Sequence, residues 1–211
     1  MKLHKVEQKS PEWFALKKKY PLSASKAQAI ATAGAGMETV VLEAITEKYS
    51  SADPERYTNE DMERGNELEA DARAIYELEN GVTVVEVGFI TNEKISDLAG
   101  VSPDGLVEED GLVEIKCLMD KLFTAKLEEV GISGTFKVDS AHDWQMQMQL
   151  LFTGRKWVDY VIYNPNFPVA ILKMRVVADP EKQQKILTGL KLAENNYKRR
   201  EGLVRKALNL K

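Results

Sequence analysis

The sequence predicts an α/β protein: a mixed central β-sheet flanked by helices, with further helices at both ends. Two observations predict it. The patterns run in the order helices, strands, a helical crossover region, a strand pair and a final helix, which is how a sheet covered by helices is laid down. Leu112-Val113-Glu114-Ile115-Lys116-Cys117 is also largely apolar on both faces, as in a buried central strand. Strand side chains alternate, so Leu112, Glu114 and Lys116 share one face and Val113, Ile115 and Cys117 the other.

Ser10-Pro11-Glu12 opens the first helix, because proline suits a first helical turn; Trp13, Phe14 and Leu16 turn inward and Pro21 ends it. Ser23-Ala24-Ser25 caps a second helix through Ala31, ended by Gly34 and Gly36. Residues 37–49 have helical periodicity in Val40, Val41, Ala44 and Ile45, and the polar stretch around Pro54 predicts an exposed loop. A long helix over 58–79 carries the apolar stripe Gly65, Leu68, Ala72, Ile75 and Tyr76. Strands are expected at 83–91, 99–107 and 112–118, a helix at 119–130, and a glycine-broken loop from Gly131 to Gly134. Residues 139–152 form a helix, and Val158–Tyr163 and Val169–Val177 a strand pair joined by Asn164-Pro165-Asn166. Pro180 starts a C-terminal helix ending near Leu208. The expectation is one domain over 1–211: an N-terminal helical part (1–57), a core (58–178) and the C-terminal helix (179–211).

Bulk properties narrow the function. At 211 residues and a net charge of −4, the chain does not look like a protein that coats nucleic acid. Local contact with DNA is still open. The basic groups Lys17-Lys18-Lys19 with Lys26, Arg155-Lys156, and Lys198-Arg199-Arg200 with Arg205-Lys206 read first as solvated faces or helix ends. Cys117 is the only cysteine, so no intramolecular disulfide forms, which suits a reducing cytoplasm. His4, His142 and Cys117 cannot build a typical zinc site. No apolar window is long enough for a membrane span, and no apolar run follows the first charges as in a secretory signal.

The chemistry concentrates around Ser102-Pro103-Asp104-Gly105 and Glu114-Ile115-Lys116. Glu108-Glu109-Asp110-Gly111 reads as a tight turn, with glycine supplying the unusual backbone angle. The resulting hairpin brings Asp104 beside Glu114. Two neighbouring carboxylates raise the pKa of one of them unless a cation lies between. All-oxygen ligands suit Mg²⁺ or Mn²⁺. Lys116 points into the same space, where it can orient water or stabilise charge on a phosphate. Spacing alone is weak evidence: Glu7-Gln8-Lys9 has it too, in a polar stretch that reads as solvated. Glu69 lies on the apolar stripe, either as an intrahelical partner of Arg73 or as a third carboxylate. Gln145, Gln147 and Gln149 are either the wet face of an amphipathic helix or amide donors near a phosphate or water.

Together these motifs resemble the phage lambda-type exonucleases, the viral recombinase family of the PD-(D/E)xK nuclease superfamily. Trp13-Phe14-Ala15-Leu16-Lys17 through Leu22-Ser23-Ala24-Ser25 is similar to the family's Trp-x-x-x-Arg … Thr-Ala-Ser opening. Arg64-Gly65 through Glu69-Ala70-Asp71-Ala72-Arg73 resembles its helical motif. Ser102-Pro103-Asp104-Gly105 with Glu114-Ile115-Lys116 resembles its catalytic core, and Gln145-Met146-Gln147-Met148-Gln149 with Phe152-Thr153-Gly154 its Gln-x-Gln motif. The motifs occur in family order and span about residues 8–165.

The resemblance implies a restriction-endonuclease-like core and a Mg²⁺-dependent 5′→3′ exonuclease, with Mn²⁺ as substitute. Such an enzyme leaves 3′ single strands on linear double-stranded DNA for recombination. It implies metal ligation by Glu69, Asp104, Glu114 and the Ile115 carbonyl, and assistance to the attacking water by Lys116, with Gln145 beside the site. Ser25, Ser102 and a basic residue would bind the 5′-phosphate. The family's arginine is a lysine here: counting from Trp13 gives Lys17 and counting from Ser25 gives Lys18. The resemblance further implies a homotrimeric ring and a single-strand annealing partner. An endonuclease on the same core and a non-catalytic DNA-end-binding module are the competing readings.

Overall fold

The computed structural model describes residues 1–51 and 60–210, the side chains of 60–66 excepted. The expected loop around Pro54 and the side chains of Arg64 and Gly65 lie outside the described residues.

The chain begins with β1 (Lys2–His4) and α1 (Pro11–Lys19). Ser10 caps α1 by accepting the Trp13 N–H at 3.2 Å, and Pro11 occupies its first turn. Trp13 is buried, but Phe14 is 45 % exposed and meets the Trp13 ring edge-on, so the expected inward turn fails for Phe14. The expected helix over 23–31 is split. Leu22–Ser23 form β2, Ala24–Lys26 one 3₁₀ turn, and Ala27–Thr32 α2. Its end falls on Ala33, in the left-handed region at φ 52°, while Gly34 caps α3 (Ala35–Tyr49).

After α4 (Glu60–Asn80), two expected strands break into four: β3 (Val84–Val85), β4 (Phe89–Thr91), β5 (Ala99–Val101) and β6 (Gly105–Val107). The halves belong to different sheets, ordered β1-β4-β5-β2 and, with β7 (Gly111–Cys117), β8 (Trp157–Tyr163) and β9 (Ile171–Val177), β3-β6-β7-β8-β9. The breaks have identifiable causes. Pro103 lacks the N–H a ladder needs. At Gly88 a Cβ would lie 2.0 Å from the Val6 carbonyl oxygen, so only glycine fits beside the N-terminal segment. Two side chains from that segment staple both crossings. Trp13 Nε1 donates to Gly88 O at 3.1 Å and Ser102 Oγ at 3.0 Å. Gln8 Nε2 donates to Val87 O at 2.8 Å and Pro103 O at 3.0 Å.

β7 is the central strand, antiparallel to β6 and parallel to β8. A parallel pair needs a long crossover, supplied by α5 (Asp120–Ser133) and α6 (Ser140–Thr153). Thus α5 runs through Gly131, where a loop was expected, and ends at Gly134. On one face of β7–β8, Leu112, Tyr160 and Ile162 pack on Met146, Leu150 and Phe123. On the other, Val113, Ile115 and Val161 pack on Ala72 and Tyr76 of α4. The first sheet, α2, α3 and the long α7 (Pro180–Ala207) share a separate apolar cluster.

The β6–β7 turn departs from expectation in its chemistry. Its left-handed residue is Glu108, at φ 48°, and not Gly111. Glycine is needed at 111 because the Trp157 ring lies 2.1 Å from where a Cβ would stand. Arg155, expected on a solvated face, clamps this turn by donating to the carbonyls of Val107, Glu108 and Gly111 at 3.1, 2.9 and 2.6 Å.

Helix α4 is docked by a buried ion. Asp159 on β8 is fully buried and accepts the Tyr76 hydroxyl at 2.8 Å and Arg175 Nε at 2.7 Å. Hydrogen bonds to buried charges stabilise by about 1.5–3 kcal/mol. Tyr76→Phe is therefore expected to lower unfolding free energy by about 2 kcal/mol in urea titration. The loss should appear first as faster hydrogen exchange in α4.

Candidate active site

The site forms where the β6–β7 hairpin opens. Gly105 pairs with Val113, so one step further along this register Asp104 faces Glu114. Asp104 Oδ2 accepts the Ile115 N–H at 2.6 Å, which fixes that carboxyl against β7. Glu114 is only 1 % exposed. Its Oε1 accepts from Lys116 Nζ and from Gln145 Nε2, both at 2.6 Å, and its Oε2 accepts from Gln149 Nε2 at 2.7 Å. Burying a carboxylate without such partners would cost several kcal/mol; here both oxygens are satisfied.

The glutamines explain their own spacing. Residues Gln145 and Gln149 are one helical turn apart on α6, so both face Glu114. Gln147 lies between them on another side, where its Nε2 donates to Val177 O at 2.9 Å and its Oε1 accepts the Asp179 N–H at 2.8 Å. It ties the end of β9 to the cap of α7. The resemblance places only Gln145 beside the site, yet Gln149 meets the same carboxylate. The available signal was its i+4 spacing from Gln145. Its Oε1 is buried and without a hydrogen-bond partner.

Glu69, carried by α4, is an intrahelical partner of Arg73 at 3.0 Å, pairs with Lys9 at 3.3 Å, and also lies within electrostatic reach of Asp104. Burial, then the charges of Glu114 and Glu69, push the Asp104 carboxyl well above the ordinary aspartate range. Burial alone would lower Lys116, but Glu114 and Asp104 outweigh it and the net shift is upward, so Lys116 stays an ammonium at neutral pH. Among the described residues no three His, Cys, Asp or Glu side chains are gathered around one metal-sized point. The donor set nevertheless fits a hard divalent cation: the carboxylates of Asp104, Glu114 and Glu69 act on one another, and Asp104 bears an excess of negative surroundings.

The residues expected around the phosphate fall into two groups. Lys17 lies over the Trp13 ring, 4.4 Å from its centroid, and burial lowers its pKa. Ser102 Oγ accepts from that same Trp13 and donates to the Gly88 carbonyl. Lys18 is exposed on α1. Ser25 is exposed in the 3₁₀ turn, its hydroxyl 3.0 Å from that of Ser23. Behind Glu114, its ladder partner Tyr160 is buried and meets His142 Nδ1 at 2.8 Å.

A strand that carries a carboxylate and an ammonium, Glu114 and Lys116, into a sheet core with helices on both faces is an arrangement shared with known exonucleases. The YqaJ-like viral recombinase domain matches residues 12–156, and the chain belongs to that family. Two crystal structures of LHK-Exo are similar to it, each at a TM-score of 0.82. One is described as an alkaline exonuclease from Laribacter hongkongensis, at 32 % identity over 95 % of this chain and 99 % of that one. The other is a complex with dAMP, at 30 % identity over 95 % and 98 %. A phage-related exonuclease from Haemophilus somnus shares the fold at a TM-score of 0.64 and 16 % identity, over 88 % of this chain and 96 % of that one. No match is found among curated proteins.

Two outcomes test the electrostatics. With its folded pKa raised, Asp104 favours folding fully below the ordinary aspartate range, and this contribution is lost as pH rises through the raised value. In EDTA, Asp104→Asn keeps an oxygen for the Ile115 N–H and should abolish that decline in urea unfolding as pH rises above the ordinary aspartate range. Gln149→Met conserves bulk but strands one Glu114 oxygen, and is expected to destabilise by about 1–3 kcal/mol in the same assay.

Proposed function

We propose that the protein is a Mg²⁺-dependent exonuclease that degrades the 5′-ended strand of linear double-stranded DNA and leaves 3′ single strands for recombination by annealing. The observation that carries this reading is the meeting of Asp104, Glu114 and Lys116 at the mouth of the β6–β7 hairpin, with Asp104 fixed by the Ile115 N–H. Family membership and the likeness to LHK-Exo support it. The dAMP bound to LHK-Exo is a mononucleotide of the kind such an enzyme releases.

Each residue has a role in this reading. Asp104, Glu114, Glu69 and the Ile115 carbonyl would hold Mg²⁺ or Mn²⁺, whose charge polarises the phosphate and lowers the pKa of a bound water. Lys116 orients the attacking water or lowers its pKa and can stabilise charge on the phosphate. Gln145 and Gln149 keep the Glu114 carboxylate in one orientation by holding both its oxygens. Lys17, half-buried over the Trp13 ring whose indole N–H reaches Ser102, is the better candidate for the 5′-phosphate than exposed Lys18, and Ser25 would complete the set. A lysine binds phosphate as a point charge where arginine would bind bidentately, so dependence on the 5′-phosphate is looser. Assembly as a trimeric ring around DNA, in the cytoplasm and with a single-strand annealing partner, completes the reading. A ring reconciles the net charge of −4 with an anionic substrate, because the channel can be basic while the outside is acidic.

Digestion of a linear duplex labelled at either end, with Mg²⁺ or EDTA and a closed circle as control, tests it. Early Mg²⁺-dependent release of the 5′ label with the circle intact is expected. A nicked circle would instead establish an endonuclease, and no release from either substrate a binding module. Asp104→Ala and Lys116→Ala should each abolish release while remaining folded; near-wild-type activity in either would sink the assignment.

A further inference from the structure

Lys9 lies outside the stretch matched by the family model, in a segment that reads from sequence as solvated. The fold gives it another position. Gln8 pins the segment by donating to Val87 O and to Pro103 O, the residue before Asp104. Lys9 itself has φ 67°, in the left-handed region that lysine rarely adopts. From there its Nζ reaches Glu69 Oε2 at 3.3 Å while the side chain stays 43 % exposed at the rim of the site. An exposed lysine–glutamate pair stabilises little by itself, so it does not account for a backbone held this way.

The two cations on Glu69 are not equivalent. Arg73 also pairs with Glu86, at 2.6 Å, and keeps that partner if Glu69 turns away. Among the described residues Lys9 has no ion-pair partner besides Glu69. A divalent cation drawing on the Glu69 carboxylate would therefore leave Arg73 neutralised and the Lys9 ammonium released. The anion available to it would be the DNA backbone, which must pass a rim carrying Glu69 and Glu86 to reach Asp104 and Glu114.

We propose that Lys9 is a metal-released phosphate contact: Glu69 holds its ammonium in the metal-free protein, and a DNA phosphate takes it once a divalent cation engages Glu69. The proposal rests on the reading of Glu69, Asp104 and Glu114 as metal carboxylates.

The test is binding of a 5′-phosphorylated duplex end, followed by fluorescence anisotropy over a salt series, in Ca²⁺ to slow cleavage and in EDTA. One lost phosphate contact makes the slope of log K against log salt shallower by about 0.9. Lys9→Met should show that loss in Ca²⁺ and none in EDTA, where wild-type Lys9 is held by Glu69. Lys9→Arg should keep the wild-type slope. Lys9→Gly, which suits the left-handed backbone and so folds at least as well, should lose slope as Lys9→Met does. Equal slopes for wild type and Lys9→Met in Ca²⁺, or equal losses in Ca²⁺ and EDTA, overturn the proposal. Calorimetric titration with Ca²⁺ separates the underlying reading: if wild type takes up the ion no better than Asp104→Ala, the metal-carboxylate assignment falls and the proposal with it.

Discussion

The site depends on the register of one hairpin. Antiparallel pairing of Gly105 with Val113 puts Asp104 opposite Glu114, and a slip of one residue would send Glu114 and Lys116 to the α4 face. That register is held from both ends. At the open end Asp104 accepts the Ile115 N–H, and at the closed end Arg155 donates to three turn carbonyls. The hairpin is thereby fixed by polar contacts that a sliding strand could not keep.

Around it the protein solves a problem of charge. A carboxylate as buried as Glu114 is tolerated because an ammonium and two amides meet it. Asp104 has fewer partners, and burial, then the negative groups around it, raise its pKa. Sites tuned in this way are where cations bind and phosphate chemistry is done. The opposite face has its own buried carboxylate, Asp159, fully paired with Tyr76 and Arg175. One carboxylate anchors the helix that delivers Glu69, while the other is left under electrostatic tension.

The N-terminal segment belongs to this arrangement. Gln8 and Trp13 hold the two points where the chain leaves one sheet for the other. Ser102-Pro103-Asp104 is one of those points, so the residue that breaks the strand also presents Asp104. The same indole carries Lys17 on its face and Ser102 at its edge, which ties α1 to the strand end that presents Asp104 through one rigid side chain.

By itself the sequence determined the α/β class, the central β7, the pairing of Asp104 with Glu114 and the position of Lys116, because period-two alternation and a short turn are local properties. The family was legible for the same reason: its motifs are short and ordered along the chain. Only the tertiary structure decided the rest. The split of residues 83–91 and 99–107 between two sheets depends on Gly88 and Pro103 meeting a segment 75 to 95 positions away. The convergence of Gln149 on Glu114, the clamp by Arg155 and the pairing of Lys9 with Glu69 join residues 35, 44 to 48 and 60 positions apart. Such contacts leave no periodic trace in a sequence, since they are set by where packed elements come to lie.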